Sequence, residues 1–240
     1  VRPRLAEVIN KTVQRGGSIV IPAFAVERTQ RLLFILRGLI DDRLISQIPI
    51  VIDSPMAIEA VKIFMRHAEE FDEGARALIR RHGSPLDWPQ VTFAKTVEQS
   101  KQVSASRFPS IIISASGMAT GGRVLHHLAQ RLPDHRNTIL FAGFQAPGTR
   151  GHLLVSDART IKIHGEEIPV RAQIENFAEF SDHADYEEIL AWLAQFPSVP
   201  KQVFLVHGEA EAARALEHRI EKKFGWDVHV AQMGEKVVLS

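Results

Sequence analysis

Short apolar runs alternate with amphipathic stretches along this chain, and the alternation predicts repeated strand-then-helix units. Ser18-Ile19-Val20-Ile21-Pro22, set off by Gly16-Gly17, reads as a buried strand, and apolar positions at helical spacing predict a helix from Val26 to about Leu39. Ile48 to Ile52 reads as a second strand. It ends in Asp53-Ser54-Pro55, a helix cap with proline at the helix start, ahead of the amphipathic stretch Met56 to Phe64. Ser110 to Ser114 reads as a third strand, running through the turn Ser116-Gly117-Met118-Ala119-Thr120-Gly121-Gly122 into a helix from Arg123 to Leu132. Strands that are apolar on both faces and separated by helices predict an α/β fold, with a mostly parallel sheet covered by helices on both faces.

Elsewhere the rhythm changes. Residues 69–107 are more polar, with a helix expected over Ala75 to Arg81 and a loop at Gly83-Ser84-Pro85, and read as a helical cap or flap. After the apolar run Thr138 to Ala142, the segments Thr160 to Ile163 and Ile168 to Val170 flank His164-Gly165-Glu166-Glu167 as a hairpin. From Phe180 come a polar turn, a helix Tyr186 to Phe196, a strand Gln202 to Val206, a helix Glu209 to Phe224, and strands near Val228 and Val237. A boundary near Glu179 divides the chain into 1–178 and a smaller αβ segment, 179–240. The chain opens on Val1-Arg2-Pro3 inside what reads as a helix, so a fragment of something longer is expected.

Composition narrows the chemistry. With 240 residues at 45% hydrophobic and 24% charged, the chain has an ordinary globular make-up with enough apolar mass for a core. Its 29 basic and 28 acidic residues leave a net charge of +1, so any site for a polyanion has to be local. There is no cysteine, which excludes disulfides, thiolate metal sites and cysteine nucleophiles and leaves His and carboxylates as metal ligands. No apolar run approaches the roughly 20 residues that cross a bilayer. A cytoplasmic protein with no membrane partner is the expectation.

Four segments carry more polar specificity than packing requires, and three of them follow the carboxyl end of an expected strand, where open α/β sheets place ligands. In Ala23-Phe24-Ala25-Val26-Glu27-Arg28, Arg28 on the first helical turn either reaches an anion or is a solvated arginine paired to Glu27 or to an acid elsewhere. The Ser114 to Gly122 turn can wrap a phosphate with amides and hydroxyls or simply cap its helix; it has neither the lysine of a P-loop nor dinucleotide-fingerprint spacing. In Phe180-Ser181-Asp182-His183-Ala184-Asp185, a histidine between two aspartates suits a general acid or a metal ligand, or is a capping or surface residue. In Phe204-Leu205-Val206-His207-Gly208-Glu209, an imidazole ends a strand, placed either for zinc or as a satisfied core histidine. His126, His127 and His218 fall within expected helices, while His67, His82, His135, His152, His164 and His229 read as surface or loop residues. No HxHxDH or HExxH cluster is present, so sequence-local ligands do not make a complete zinc site.

Taken in order, these segments resemble the β-CASP branch of the metallo-β-lactamase-fold nucleases. The likeness runs through Pro22-Ala23-Phe24-Ala25 with Arg28-Thr29-Gln30, Asp53-Ser54-Pro55-Met56-Ala57, Ser114-Ala115-Ser116-Gly117-Met118, Gly143-Phe144-Gln145 with Gly148-Thr149-Arg150, Phe180 to Asp185, and Leu205-Val206-His207-Gly208-Glu209. The resemblance implies a β-CASP domain over 1–178 and, over 179–240, the segment that returns to complete a metallo-β-lactamase domain. It implies zinc-dependent hydrolysis of single-stranded RNA, endonucleolytic, 5′-3′ exonucleolytic or both, by two zinc ions about 3.5–4 Å apart. His183 would be the proton donor and His207 a ligand of the second zinc, while Arg28, Ser114, Ser116, Gly117, Met118 and Arg150 would steer the RNA. The other zinc ligands lie upstream in such enzymes, so the fragment is expected to be inactive alone, and its partners are RNA, that upstream half and, left open, a second copy. The alternative is a non-catalytic homologue that grips RNA or a partner. Glu27 stands where relatives commonly carry glycine, and Asp182 where a small residue is usual.

Overall fold

The computed structural model describes residues 1–181 and 183–238, apart from the side chains of residues 78, 81 and 82. The chain divides into two compact units, Val1–Ser181 and Asp182–Ser240. In the first, the elements in chain order are α1 (Arg2–Gln14), β1 (Ile19–Pro22), α2 (Arg28–Asp41), β2 (Ile50–Ile52), α3 (Pro55–Arg66), α4 (Glu73–His82), β3 (Val91–Phe93), α5 (Val97–Ala105), β4 (Ile111–Ser114), α6 (Val124–Arg131), β5 (Thr138–Ala142), α7 (Arg150–Val155), β6 (Thr160–Ile163), β7 (Glu166–Pro169) and β8 (Gln173–Phe177). Six strands form one sheet in the order β3-β2-β4-β1-β5-β8, and every pairing is parallel.

The unbroken apolar runs follow from burial on both faces. Ile19 and Ile21, Ile50 and Ile52, Ile111 and Ile113, and Leu140 pack with α1, α2 and α3 on one face. The alternate residues Val20, Ile112, Ile139 and Phe141 pack with α6, α7 and the antiparallel β6–β7 hairpin on the other. The sequence-read α/β fold is therefore present, and its strand-helix units sit within a few residues of where the pattern places them. Ser54 caps α3 by accepting from the Ala57 N–H at 3.3 Å, with Pro55 in the first turn.

The flap expected over 69–107 is not a flap. Its centre is β3, which pairs with β2 as an edge strand, and its end is α5, whose Ser100 and Ser104 are buried. Edge elements need fewer apolar positions, which is why this stretch reads as polar. β8 escapes notice for the same reason: Gln173-Ile174-Glu175-Asn176-Phe177 is the opposite edge.

The second unit contains α8 (Tyr186–Leu193), β9 (Val203–Leu205), α9 (Ala210–Phe224) and β10 (Val228–Val230), with β9 and β10 parallel. Leu190, Leu193, Ile220, Trp226 and Val228 form its core. α9 ends at Gly225 with φ +67°, the left-handed stop that glycine adopts without steric cost. No strand forms around Val237 among the described residues. Of the histidines read as surface or loop residues, His82 falls in α4, His152 is half-buried in α7 and His229 is half-buried in β10.

Candidate functional site

Parallel strands carry β1, β2, β4 and β5 to one carboxyl edge, so the loops after Pro22, Ile52, Ser114 and Ala142 gather there. The edge is organised around Asp53, which is fully buried. Asp53 Oδ2 accepts from Ser100 Oγ on α5 at 2.5 Å and from His127 Nε2 on α6 at 2.7 Å, while Oδ1 accepts from Arg123 Nη1 at 2.8 Å. Burial pushes the Asp53 carboxyl up, but the hydrogen bonds from His127, Ser100 and Arg123 together outweigh it and hold the group below the ordinary carboxylate range. An ionised carboxylate only accepts, so His127 carries its proton on Nε2. The other ring nitrogen meets Ser104 Oγ at 3.1 Å. Arg123 also donates to Ala94 O at 2.9 Å, and Arg131 donates to the carbonyls of Ser104, Val103 and Ser106 at the end of α5. One carboxylate thus locks β2, α5 and α6 together.

The glycine-rich turn is braced from within. Ser114 Oγ donates to Asp53 O at 2.7 Å, and Ser116 Oγ accepts from the N–H groups of Thr120 and Gly121 at 3.0 and 3.3 Å. At Gly122, with φ +80°, a Cβ would fall 2.5 Å from Ala115 O, so only glycine fits. Met118 O accepts from Gly151 N at 3.0 Å. Arg150 Nε donates to Lys162 O at 2.7 Å and its Nη1 to Thr120 O at 3.3 Å, tying this turn to the β6–β7 hairpin. Gln145, also buried, places Nε2 within 3.0–3.4 Å of the carbonyls of Phe144, Gly117 and Gly143. Of the residues read as RNA-steering, Ser114, Ser116 and Arg150 therefore spend side-chain donors or acceptors on the loops themselves.

Arg28 is buried at the start of α2, under the loop that follows β5: a Cβ on Gly143 would lie 3.6 Å from its Nη1. Burial lowers its pKa, as does the neighbouring Arg31, and Glu27 opposes both. An arginine stays charged under such shifts, so a cation lies just beneath this edge. The residue before it is strained. Glu27 has φ +70° and ψ −61°, and Arg28 N donates to Val26 O at 2.9 Å, which is the tight γ-turn that side chains resist. Glycine would relieve it.

Both histidines of the sequence reading belong to the second unit. His183 is exposed, in the loop ahead of α8. Asp185 does not flank it as a free carboxylate: its Oδ1 accepts from Glu188 N at 2.9 Å and Glu188 returns a bond to Asp185 N, a capping box. Asp182 lies outside the described residues. His207 follows β9, is exposed, and holds φ +66°. A zinc centre needs at least three protein donors. Among the described residues no three His, Asp or Glu side chains gather in that way, so these residues alone do not complete one.

Sequence reasoning missed the Asp53–His127 pair. A signal was available: His127 falls on the apolar face of α6 with Val124, Leu128 and Arg131, where a polar side chain requires a buried partner.

Comparison with known families matches residues 29–154 to the Beta-Casp domain and residues 167–231 to the Zn-dependent metallo-hydrolase RNA specificity domain. The chain is 35% identical over 231 residues to ribonuclease TTHA0252 of Thermus thermophilus, covering 96% of the chain and 52% of that relative. It is 34% identical over 228 residues to transcription termination factor FttA of Thermococcus kodakarensis, covering 92% and 35%. An RNase J-like protein of Methanocaldococcus jannaschii is 30% identical over 206 residues, covering 86% and 46%. The chain thus spans about half the length of these relatives or less.

Proposed function

Because this chain belongs to the β-CASP family of metallo-β-lactamase-fold RNA nucleases, we propose that it grips single-stranded RNA and contributes one acid group and one metal-binding imidazole to hydrolysis of a phosphodiester bond. His183 is the proton donor, its imidazolium N–H protonating the departing 3′ oxygen. His207 holds zinc, the metal named in the RNA specificity family's description; when bound, it would supply Lewis acidity at the scissile phosphate. Arg28 contributes positive charge along the path of the RNA backbone, and Ser114, Ser116, Gly117, Met118 and Arg150 shape the turn over which the strand runs.

The observation that carries this reading is that residues 167–231, which match the Zn-dependent metallo-hydrolase RNA specificity domain, include both His183 and His207, each exposed in a loop at the end of an element. Both imidazoles are therefore open to a substrate or a metal, and His207 holds φ +66°, a conformation that histidine adopts more readily than most residues. Of the two, only His207 is assigned to the metal. With one such donor, the chain on its own binds zinc weakly and cuts RNA slowly.

Binding to an unstructured RNA and to a duplex of the same length tests the substrate class. Preference for the single strand, declining with salt, supports the reading; equal or duplex-favoured binding overturns it.

A further inference from the structure

The rings of His126 and His164 stack, with centroids 4.6 Å apart and planes 25° from parallel, the one contact between two imidazoles among the described residues. Backbone places both of them. His126 lies on the exposed side of α6, one residue before the buried His127. His164 opens the two-residue turn of the β6–β7 hairpin, where Ile163 pairs with Glu166 and both His164 and Gly165 hold positive φ, +51° and +88°. A turn of that kind favours Asn-Gly and follows the twist of its strands, so a histidine in the asparagine position is held rigidly, with its ring against His126. Below the rings, hairpin and helix share one core, in which Ile161, Ile163 and Ile168 lie with Leu125 and Leu128.

Uncharged imidazoles stack favourably, whereas two imidazolium ions at this distance repel, and partial shielding from water adds to the cost of charging them. The charges carried by the surrounding elements are Lys101 and Glu98 on α5, Arg123 at the start of α6, Asp53 after β2, Arg150 on α7, and Lys162, Glu166 and Glu167 on the hairpin, equal numbers of each sign. Asp53 is already taken up by Ser100, Arg123 and the Nε2 proton of His127. Contact between the rings, rather than a surrounding field, therefore decides how they respond to a proton. We infer that the His126–His164 stack is an acid-released latch: uncharged, the rings hold the hairpin tip to α6, and a second proton parts them. Burial, then His164, then His127 hold the His126 imidazole below its ordinary value of 6.5, with Asp53 opposing. A histidine depressed in the docked state favours docking near neutral pH and ceases to do so as pH falls through that value. What the latch controls lies beside it. Lys162 O on β6 holds Arg150, and Arg150 holds the glycine-rich turn through Thr120 O, so acid loosens one brace of that turn. Neither zinc nor RNA enters, and failure of the latch would leave the reading above standing.

The test follows hydrogen exchange of the β6 and β7 amides, corrected for the intrinsic rate at each pH, at about pH 7.5 and about pH 5, where carboxylates stay ionised and Asp53 does not contribute. In wild type, hairpin protection should fall at least about threefold on acidification, while that of the β4 amides holds. His164→Asn suits the turn and removes the ring, and His126→Phe keeps a ring that cannot be charged; each should abolish the fall, with thermal melting confirming the fold. By NMR, the ring of His126 should titrate with a midpoint below 6.5 in wild type, and His164→Asn should raise that midpoint. No fall in wild type, an equal fall in either variant, or a His126 midpoint unmoved by His164→Asn overturns the latch.

Discussion

His127 Nε2 lies 2.7 Å from Asp53 Oδ2, with both side chains shut off from solvent. Asp53 directly follows β2, an inner strand of the sheet, and His127 lies on the inner face of α6, so the pair fixes the helix that follows the glycine-rich turn. Removing one partner leaves a buried charge short of a donor. His127→Ala should destabilise the first unit by about 3–5 kcal/mol, read by urea unfolding.

The same pair sets an acid limit. A carboxyl held below its ordinary range stabilises the fold above that range, and the contribution is lost as pH falls through the depressed value. Wild type should therefore lose stability steeply below about pH 4. Asp53→Asn should be less stable at neutral pH with a flatter acid profile. Melting curves from pH 3 to 7 check this, and parallel profiles would show that Asp53 is not the group responsible.

Glu27 is a site where a mutation should help. Its φ of +70° costs roughly 1–3 kcal/mol, and the extra chain entropy of glycine gives back about 0.5–1 kcal/mol. Glu27→Gly should raise the melting temperature by a few degrees, whereas Glu27→Ala, which keeps the Cβ, should not.

Arg28 lies under the carboxyl edge, and its contribution to RNA binding should be electrostatic. Arg28→Met should weaken binding more at low salt than at high salt and reduce the salt slope by about 0.7. A loss that does not change with salt would show that the substitution damages packing instead.

The residues that were legible in the sequence are those whose burial leaves a pattern. Ile19 to Ile21 and Ile111 to Ile113 read as strands because both faces are covered, and Ser54-Pro55 reads as a helix start because capping is local. β3 and β8 were not legible because an edge strand can carry Thr92, Gln173 and Asn176 toward water. The site divides in the same way. Loops at strand ends can be located from the pattern, but the bonds of Ser114 to Asp53 O and of Arg150 to Lys162 O join distant parts of the chain and leave no trace at short range. Asp185 reads equally as a partner of His183 or as a helix cap, and the capping box takes it.

The central claim is that His183 and His207 do different work in phosphodiester hydrolysis. The direct measurement is RNA turnover and bound zinc, side by side, in a polypeptide that joins this chain to the remaining zinc donors. His183→Ala should lower turnover at least about 100-fold with zinc content unchanged, and His207→Ala should lower both. Full turnover in both variants, or equal zinc loss in both, would contradict the account.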